Sequence, residues 1–233
     1  MRRLTIAVDI DGTITENRGE RIHLDALLSL RTVVDAGHNV IFVTGRSSIE
    51  GYILAVFGGM TKFCIGENGG CITFGDYTHK LLGKKLECIT ALKYLQNNMD
   101  NVKEKPVFQR MTEVVLERTF EIKHAVKLLD DAGYKVLLTD SQYAFHINSQ
   151  GIDKGSGLRK AMRMLTVDPK DVIAIGDSAT DVPMFAIAET SVALGNATEY
   201  VRSKASLTVD SKAGDGLIEV MDMIGPQMAG TIQ

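Results

Sequence analysis

The sequence has no tryptophan, three cysteines, no long apolar run and no large surplus of either charge. Each shortage excludes something. A membrane-spanning helix needs about 20 consecutive apolar residues, whereas runs such as Val40–Val43 and Val172–Ile175 end after four. Arg2 and Arg3 open the chain, but Asp9 and Asp11 arrive before any signal-peptide core could form. The expectation is a cytoplasmic protein with no membrane partner. A formal net charge of −3 gives no basic field to hold a polyanion, which argues against nucleic acid as a partner. Cys64, Cys71 and Cys88 contain no C-x-x-C pair, and the five histidines are scattered at 23, 38, 79, 124 and 146. Zinc would need a tighter cluster, so the cysteines read as small buried apolar residues. Neither G-x-x-x-x-G-K-[ST] nor G-x-G-x-x-G occurs, and nucleotide binding through those two loops is out.

What is present is globular usage, 45% hydrophobic and 24% charged, which supports a buried core and excludes a disordered chain. The 233 residues allow one large domain or two modest ones. Strand-like and helix-like segments alternate in the first third. Leu4–Val8 is a short strand before a polar loop, and His23–Asp35 has helical spacing stopped by Gly37. Asn39–Val43 is a buried strand, and Ser47-x-x-Glu50 opens a helix to about Phe57. Phe63–Ile65 and Cys71–Phe74 are short strands, with a turn at Gly75-Asp76. The last third repeats the plan. A helix over Lys154–Leu165 is broken by Asp168-Pro169, and the strand Val172–Ile175 precedes Gly176-Asp177. Then come a helix over about Asp181–Ala188, the strand Ser191–Leu194, a closing helix Gly216–Ile224 and a tail expected to fray from Pro226. Such βα units imply a parallel sheet covered on both faces. Between them, helices at about Leu86–Asn98 and Glu121–Ala132 alternate with strands at Thr112–Arg118, Tyr134–Leu138 and Ala144–Asn148. The fold class expected is therefore α/β, a Rossmann-like parallel core of residues 1–77 and 151–233. A smaller α+β insert with a mostly antiparallel sheet occupies 78–150.

The strongest chemical signal is Asp9-Ile10-Asp11-Gly12-Thr13, directly after the first strand. Ligands of open parallel sheets bind at the carboxyl ends of strands. Two carboxylates one residue apart repel unless something positive joins them, and Mg²⁺ prefers such oxygens. Alone, the segment favours a catalytic role over the alternative, a solvated acidic turn. A second pair, Asp177 and Asp181, follows Val172–Ile175, although Asp181 alone could be a helix cap. Thr44-Gly45-Arg46 ends another strand and offers a hydroxyl, main-chain N–H groups and a cation. Lys154 sits at a helix N-terminus, where the dipole disfavours a cation, so a nearby anion explains it better. Together these pieces make a metal-assisted site for a phosphoryl group, whose charge needs neutralising from several sides.

The same residues resemble the four motifs of the haloacid dehalogenase-type phosphohydrolases: Asp9-Ile10-Asp11-Gly12-Thr13, Thr44, Lys154, and Gly176-Asp177 with Asp181. The mid-chain insert is similar to that family's C2-type cap. Glu67-Asn68-Gly69-Gly70 and Leu194-Gly195-Asn196-Ala197 are similar to stretches of its capped branch. The resemblance implies that Asp9 is a nucleophile forming an aspartyl-phosphate. It implies that Asp11 protonates the leaving oxygen and later deprotonates water. Mg²⁺ would be held by Asp9, the Asp11 carbonyl and Asp177, with Asp181 close by or acting through water. Thr44, Gly45 and Lys154 would hold phosphoryl oxygens.

The partner implied is a small phosphorylated metabolite, and self-association as a homodimer stays open. A cap over the site favours a short leaving group, and the cap's few aromatics give no stacking platform for a base. Arg46 and Arg110 would suit a second anion on the substrate, although Arg110 could also lie on a solvated surface. His146, between Phe145 and Ile147, reads as a packed residue. Together with the resemblance, these features imply hydrolysis of 2-phosphoglycolate to glycolate and phosphate. A sugar-phosphate phosphatase (sucrose phosphate among the candidates) or a phosphomutase is the alternative, and a non-enzymatic phospho-receiver module stands behind those.

Overall fold

A computed structural model describes residues 3–17 and 20–229. In chain order the first half comprises β1 (Thr5–Val8), α1 (Leu24–Asp35), β2 (Asn39–Val43), α2 (Ser48–Gly58), β3 (Phe63–Gly66), β4 (Cys71–Phe74) and β5 (Thr78–Leu81). The middle comprises α3 (Lys85–Asn98), β6 (Val114–Leu116), α4 (Ile122–Asp131), β7 (Val136–Asp140) and β8 (Phe145–Ser149). The last third comprises α5 (Lys154–Leu165), β9 (Val172–Gly176), α6 (Val182–Phe185), β10 (Thr190–Ala193), α7 (Glu199–Arg202), β11 (Leu207–Thr208) and α8 (Ala213–Ala229).

One eight-stranded sheet runs in the order β11-β10-β9-β1-β2-β3-β4-β5. Its strands are parallel from β11 to β3, while β4 and β5 join antiparallel. Only residues 67–70 separate β3 from β4, too few for the crossover a parallel partner needs. The central strands are apolar throughout because both faces are covered. Ile6, Val8, Val40, Phe42, Ile173 and Ile175 pack on the face that also buries Leu30 of α1 and Leu217 of α8. The alternate residues Ala7, Ile41, Val43, Val172 and Ala174 pack on the other, against Leu158 and Met162 of α5. This two-residue alternation is what strand geometry imposes.

The insert has its own sheet, β6-β8-β7, antiparallel throughout. It also has its own core, where Leu92, Leu95, Val114, Leu116, Leu129, Phe145 and Ile147 meet. The α+β expectation holds. The boundary expected at residue 78 does not, since Thr78–Leu81 is the last strand of the large sheet. All four of its residues are exposed, so no hydrophobic pattern marks it.

Other departures have local causes. The helix expected from Asp181 to Ala188 is a 3₁₀ turn, Ala179–Asp181, followed by one turn of α6 carrying a proline near its start. The closing helix does not stop at Ile224 but continues through Pro226 to Ala229, so the expected fray does not begin at Pro226. Residues 230–233 lie outside the described residues. The elements α7 and β11, four and two residues long, were below what periodicity can reveal. All three cysteines are free and buried, and burial pushes the Cys71 and Cys88 thiols up to about 11.

Candidate active site

The sheet brings the motif residues together at its C-terminal edge. β1 lies between β2 and β9, and the Asp9 amide donates to the Ile175 carbonyl at 3.0 Å, carrying that pairing one residue past the strand. Asp9 therefore stands beside the loop that bears Asp177 and Asp181. Gly12 makes the next turn with φ +80°, and a β-carbon there would lie 2.4 Å from Asp177 Oδ2. Both the conformation and the space require glycine.

Lys154 is the centre of the arrangement. Its Nζ, on a side chain only 2% exposed, donates to Asp9 Oδ1 at 2.8 Å and Asp181 Oδ1 at 2.6 Å. Burial works against the charged amine, but Asp181 and then Asp9 outweigh it and drive its pKa upward. The capping box of α5, between Asp153 and Ser156, starts the helix at Lys154. The helix dipole there disfavours a cation; the two carboxylates supply the compensation.

Oxygen atoms of Asp9, Asp177 and Asp181 all lie within 4.8 Å of one another. One lysine does not neutralise three carboxylates. Burial and then the Asp181 charge raise the Asp9 carboxyl well above its ordinary range, against the pull of Lys154. The same causes push Asp177 up to about 7. A charge deficit on clustered hard oxygens fits a divalent cation. The three differ as donors. Asp181 Oδ2 accepts from the amides of Asp177 (3.0 Å) and Ser178 (2.8 Å) and from the Ser178 hydroxyl (2.9 Å), while Lys154 takes Oδ1. Asp181 is thus already saturated by protein donors. Asp177 accepts from Asn196 Nδ2 at 2.7 Å and from the Thr13 hydroxyl at 3.4 Å. Asn196 also donates to the Gly12 carbonyl at 2.9 Å, and its Oδ1 accepts from the Ala213 amide at 2.8 Å. Asn196 and Thr13 escaped the sequence reading as site residues, although both lie in the segments quoted for the resemblance.

These raised carboxyls carry a pH signature. Without a cation the folded protein keeps protons on Asp9 and Asp177 that an unfolded aspartate, with a pKa near about 3.9, has lost. The Asp177 contribution to stability is therefore fully present below about pH 4 and is lost as pH rises through about 7, and the raised Asp9 carboxyl acts in the same direction. In chelator, the melting temperature is expected to fall between about pH 5 and about pH 8. Mg²⁺ is expected to raise it more at the higher pH. A Mg²⁺ increment that is the same at both pH values contradicts this assignment.

The remaining expected residues are distributed around a cavity of about 380 Å³ between the sheet edge and the insert. Asp9, Asp11, Gly45, Arg46, Arg110, Lys154 and Asp177 line it. Asp11 does not join the carboxylate cluster. Arg46 holds it bidentately, Nε to Oδ2 at 2.9 Å and Nη2 to Oδ1 at 2.7 Å, and these hydrogen bonds raise the guanidinium pKa against burial. Thr44 lies below the lining, fully buried, its hydroxyl accepting from the Arg46 amide at 3.0 Å. Arg110 reaches from the insert to donate to the Gly45 carbonyl at 3.1 Å.

A parallel sheet with a carboxylate–lysine centre at its C-terminal edge, under an inserted lid, defines a capped phosphohydrolase. Comparison with known proteins agrees. The chain matches the haloacid dehalogenase-like hydrolase family over residues 6–123 and 90–221, and it belongs to that family. It is 61% identical over 226 residues to a phosphoglycolate phosphatase of Nitrosopumilus maritimus, covering 97% of this chain and 98% of that one. It is 33% identical to a phosphoglycolate phosphatase of Methanosarcina mazei, covering 96% and 97%. Among solved structures, a Thermoplasma acidophilum protein aligns with a TM-score of 0.86 at 21% identity, covering 97% of this chain and 99% of that one. The sucrose-phosphatase of Synechocystis aligns at 0.74 and 17%, covering 97% and 99%. These structural likenesses concern the fold. The chain is a phosphatase of this family, which sets aside the receiver-module reading. Among the described residues, no helix is long and apolar enough to cross a membrane.

Proposed function

We propose that the protein is a Mg²⁺-dependent phosphatase that hydrolyses 2-phosphoglycolate to glycolate and phosphate through an aspartyl-phosphate on Asp9. The observation that carries the chemistry is the buried Lys154, bonded at once to Asp9 and Asp181, in a cluster short of positive charge. The short substrate is supported by the 61% identical relative named for that activity. The cavity volume also supports it, being near the lower end of ligand-site sizes, roughly 300–1,000 Å³.

Asp9 attacks phosphorus, and the bond from phosphorus to the glycolate oxygen breaks. Asp11, once it turns from Arg46, gives that oxygen a proton, and glycolate leaves. Asp11 then takes a proton from water, which attacks phosphorus, breaks its bond to Asp9 and releases phosphate. Lys154 fixes Asp9 and, with Gly45, faces the phosphoryl oxygens. Thr44 lies beneath them and sets the Gly45–Arg46 turn through its hydroxyl. Asp9, Asp177 and the Asp11 carbonyl, with Asp181 behind them, would hold Mg²⁺, which would supply charge neutralisation for the phosphoryl group. Arg110, with Arg46 nearby, receives the substrate carboxylate.

The test is a panel of phosphate esters with Mg²⁺. The expected order places kcat/KM for phosphoglycolate above glycerol phosphate, sugar phosphates and nucleoside monophosphates. A preference of about tenfold or more for a hexose or sucrose phosphate would overturn the substrate assignment.

A further inference from the structure

The turn Glu67-Asn68-Gly69 has no part in the chemistry above, yet it is built at a cost. Three successive residues take positive φ, Glu67 at 55°, Asn68 at 52° and Gly69 at 100°. Two of them are not glycine, and such backbone is retained where the surroundings over-determine it. Here the main chain is tied to the site itself: the Glu67 amide donates to the Arg46 carbonyl at 2.8 Å and the Asn68 amide to the Thr44 carbonyl at 3.1 Å. Both side chains are buried and both leave the core for the cap. Glu67 accepts from the Met111 amide at 2.9 Å and from the Thr112 amide and hydroxyl, each at 2.6 Å. Asn68 Nδ2 donates to Glu113 Oε2 at 3.2 Å.

Glu113 is a fully buried carboxylate between three groups. His146 Nδ1 meets Oε2 at 3.1 Å, Asn68 shares that oxygen, and Arg110 Nε stands 3.6 Å from Oε1. Burial opposes its charge, but His146, then Arg110, keep its pKa below the ordinary value. Arg110 Nε, Glu113 Oε1 and Asn68 Oδ1 are buried here without hydrogen-bond partners. The guanidinium therefore lies between its counter-charge on one side and the Gly45 carbonyl on the other. A shift of about half an ångström would complete the bond. Asn68 also fills the space over Gly45, where a β-carbon would meet its Oδ1 at 3.2 Å, and Gly45 is the residue whose carbonyl Arg110 holds.

We propose that Asn68 and Glu113 are positioning residues for selectivity: the core turn fixes Glu113, Glu113 fixes Arg110, and Arg110 so placed favours substrates with a second anion beside the phosphoryl group. The proposal rests on Arg110 receiving the substrate carboxylate. Its critical variant is Asn68→Gly. Glycine adopts positive φ without strain, so the fold is expected to keep or raise its melting temperature, while the tie to Glu113 is lost. Kinetics are compared for phosphoglycolate and for 2-hydroxyethyl phosphate, which carries an alcohol in place of the carboxylate.

For Asn68→Gly, KM for phosphoglycolate is expected to rise about tenfold, with kcat within about twofold and both constants for hydroxyethyl phosphate nearly unchanged. Glu113→Gln, which keeps the shape and removes the charge, is expected to show the same split. Arg110→Ala separates this inference from the reading beneath it. If Arg110→Ala raises KM for phosphoglycolate and Asn68→Gly and Glu113→Gln do not, the positioning role is wrong and the function stands. If Arg110→Ala leaves that KM unchanged, the clamp assignment fails and the inference falls with it. Equal losses on both substrates in Asn68→Gly and Glu113→Gln would mean a merely structural turn and also overturn it.

Discussion

Replacing Asp9 with asparagine is expected to reduce kcat by roughly 10⁴-fold or more, the scale on which an enzyme loses its nucleophile. The amide cannot form an acyl phosphate, and no other carboxylate is placed to substitute. Asp177 is engaged by Asn196 and Thr13, Asp181 by four donors, and Asp11 by Arg46. The fold is expected to survive. Burial and Asp181 already make the Asp9 charge unfavourable, so neutralising it in the absence of metal leaves the melting temperature at or above that of the parent. Lys154 retains its shorter bond, to Asp181. Circular dichroism with steady-state kinetics checks both halves. Retention of even a tenth of the parental kcat would contradict the nucleophile assignment.

The second large effect is at Lys154. Lys154→Ala removes the only side-chain cation bonded to the cluster among the described residues and leaves Asp9, Asp177 and Asp181 to repel one another while buried. Breaking a buried pair by deleting one partner costs about 3–5 kcal/mol, and denaturant unfolding in chelator is expected to show a loss of that size. Mg²⁺ is expected to restore part of the stability, since it neutralises the same carboxylates. It is not expected to restore turnover, because the amine facing the phosphoryl oxygens is gone. The loss in kcat/KM is put at roughly 10²–10³-fold, as for one electrostatic donor. Parental stability in chelator, or a normal kcat/KM, would show that Lys154 does not hold the site together.

Much of this site was legible because strand ends are legible. Asp9, Thr44 and Asp177 each follow a short apolar run, and parallel pairing places the ends of β1, β2 and β9 on one edge. Lys154 was legible through a mismatch, a cation where a helix dipole disfavours one. The cap could be read as a change of pattern, from continuous apolar strands to alternating ones. What escaped depended on partners distant in sequence. In the sequence Glu113 is one residue of the alternating cap strand expected over Thr112–Arg118. Its role came into view once β6 paired with β8 and set it beside His146, with Asn68 arriving from 45 residues away. The pairing of Arg46 with Asp11 spans 35 residues and left no periodic trace. Nor could the sequence tell that Thr44 would be covered, because its exposure is decided by how Arg46 and Asn68 fold over it.

Passage of the phosphoryl group through Asp9 is read out by trapping the intermediate. Enzyme turning over phosphoglycolate with Mg²⁺ is quenched in acid, reduced with borohydride and digested. Reduction converts a phosphorylated aspartate into homoserine and leaves free aspartate untouched. Homoserine is expected at position 9 in the parent, at no other aspartate, and none in Asp9→Asn or without substrate. Active turnover with unmodified Asp9, or with the label at Asp11, Asp177 or Asp181, would contradict it.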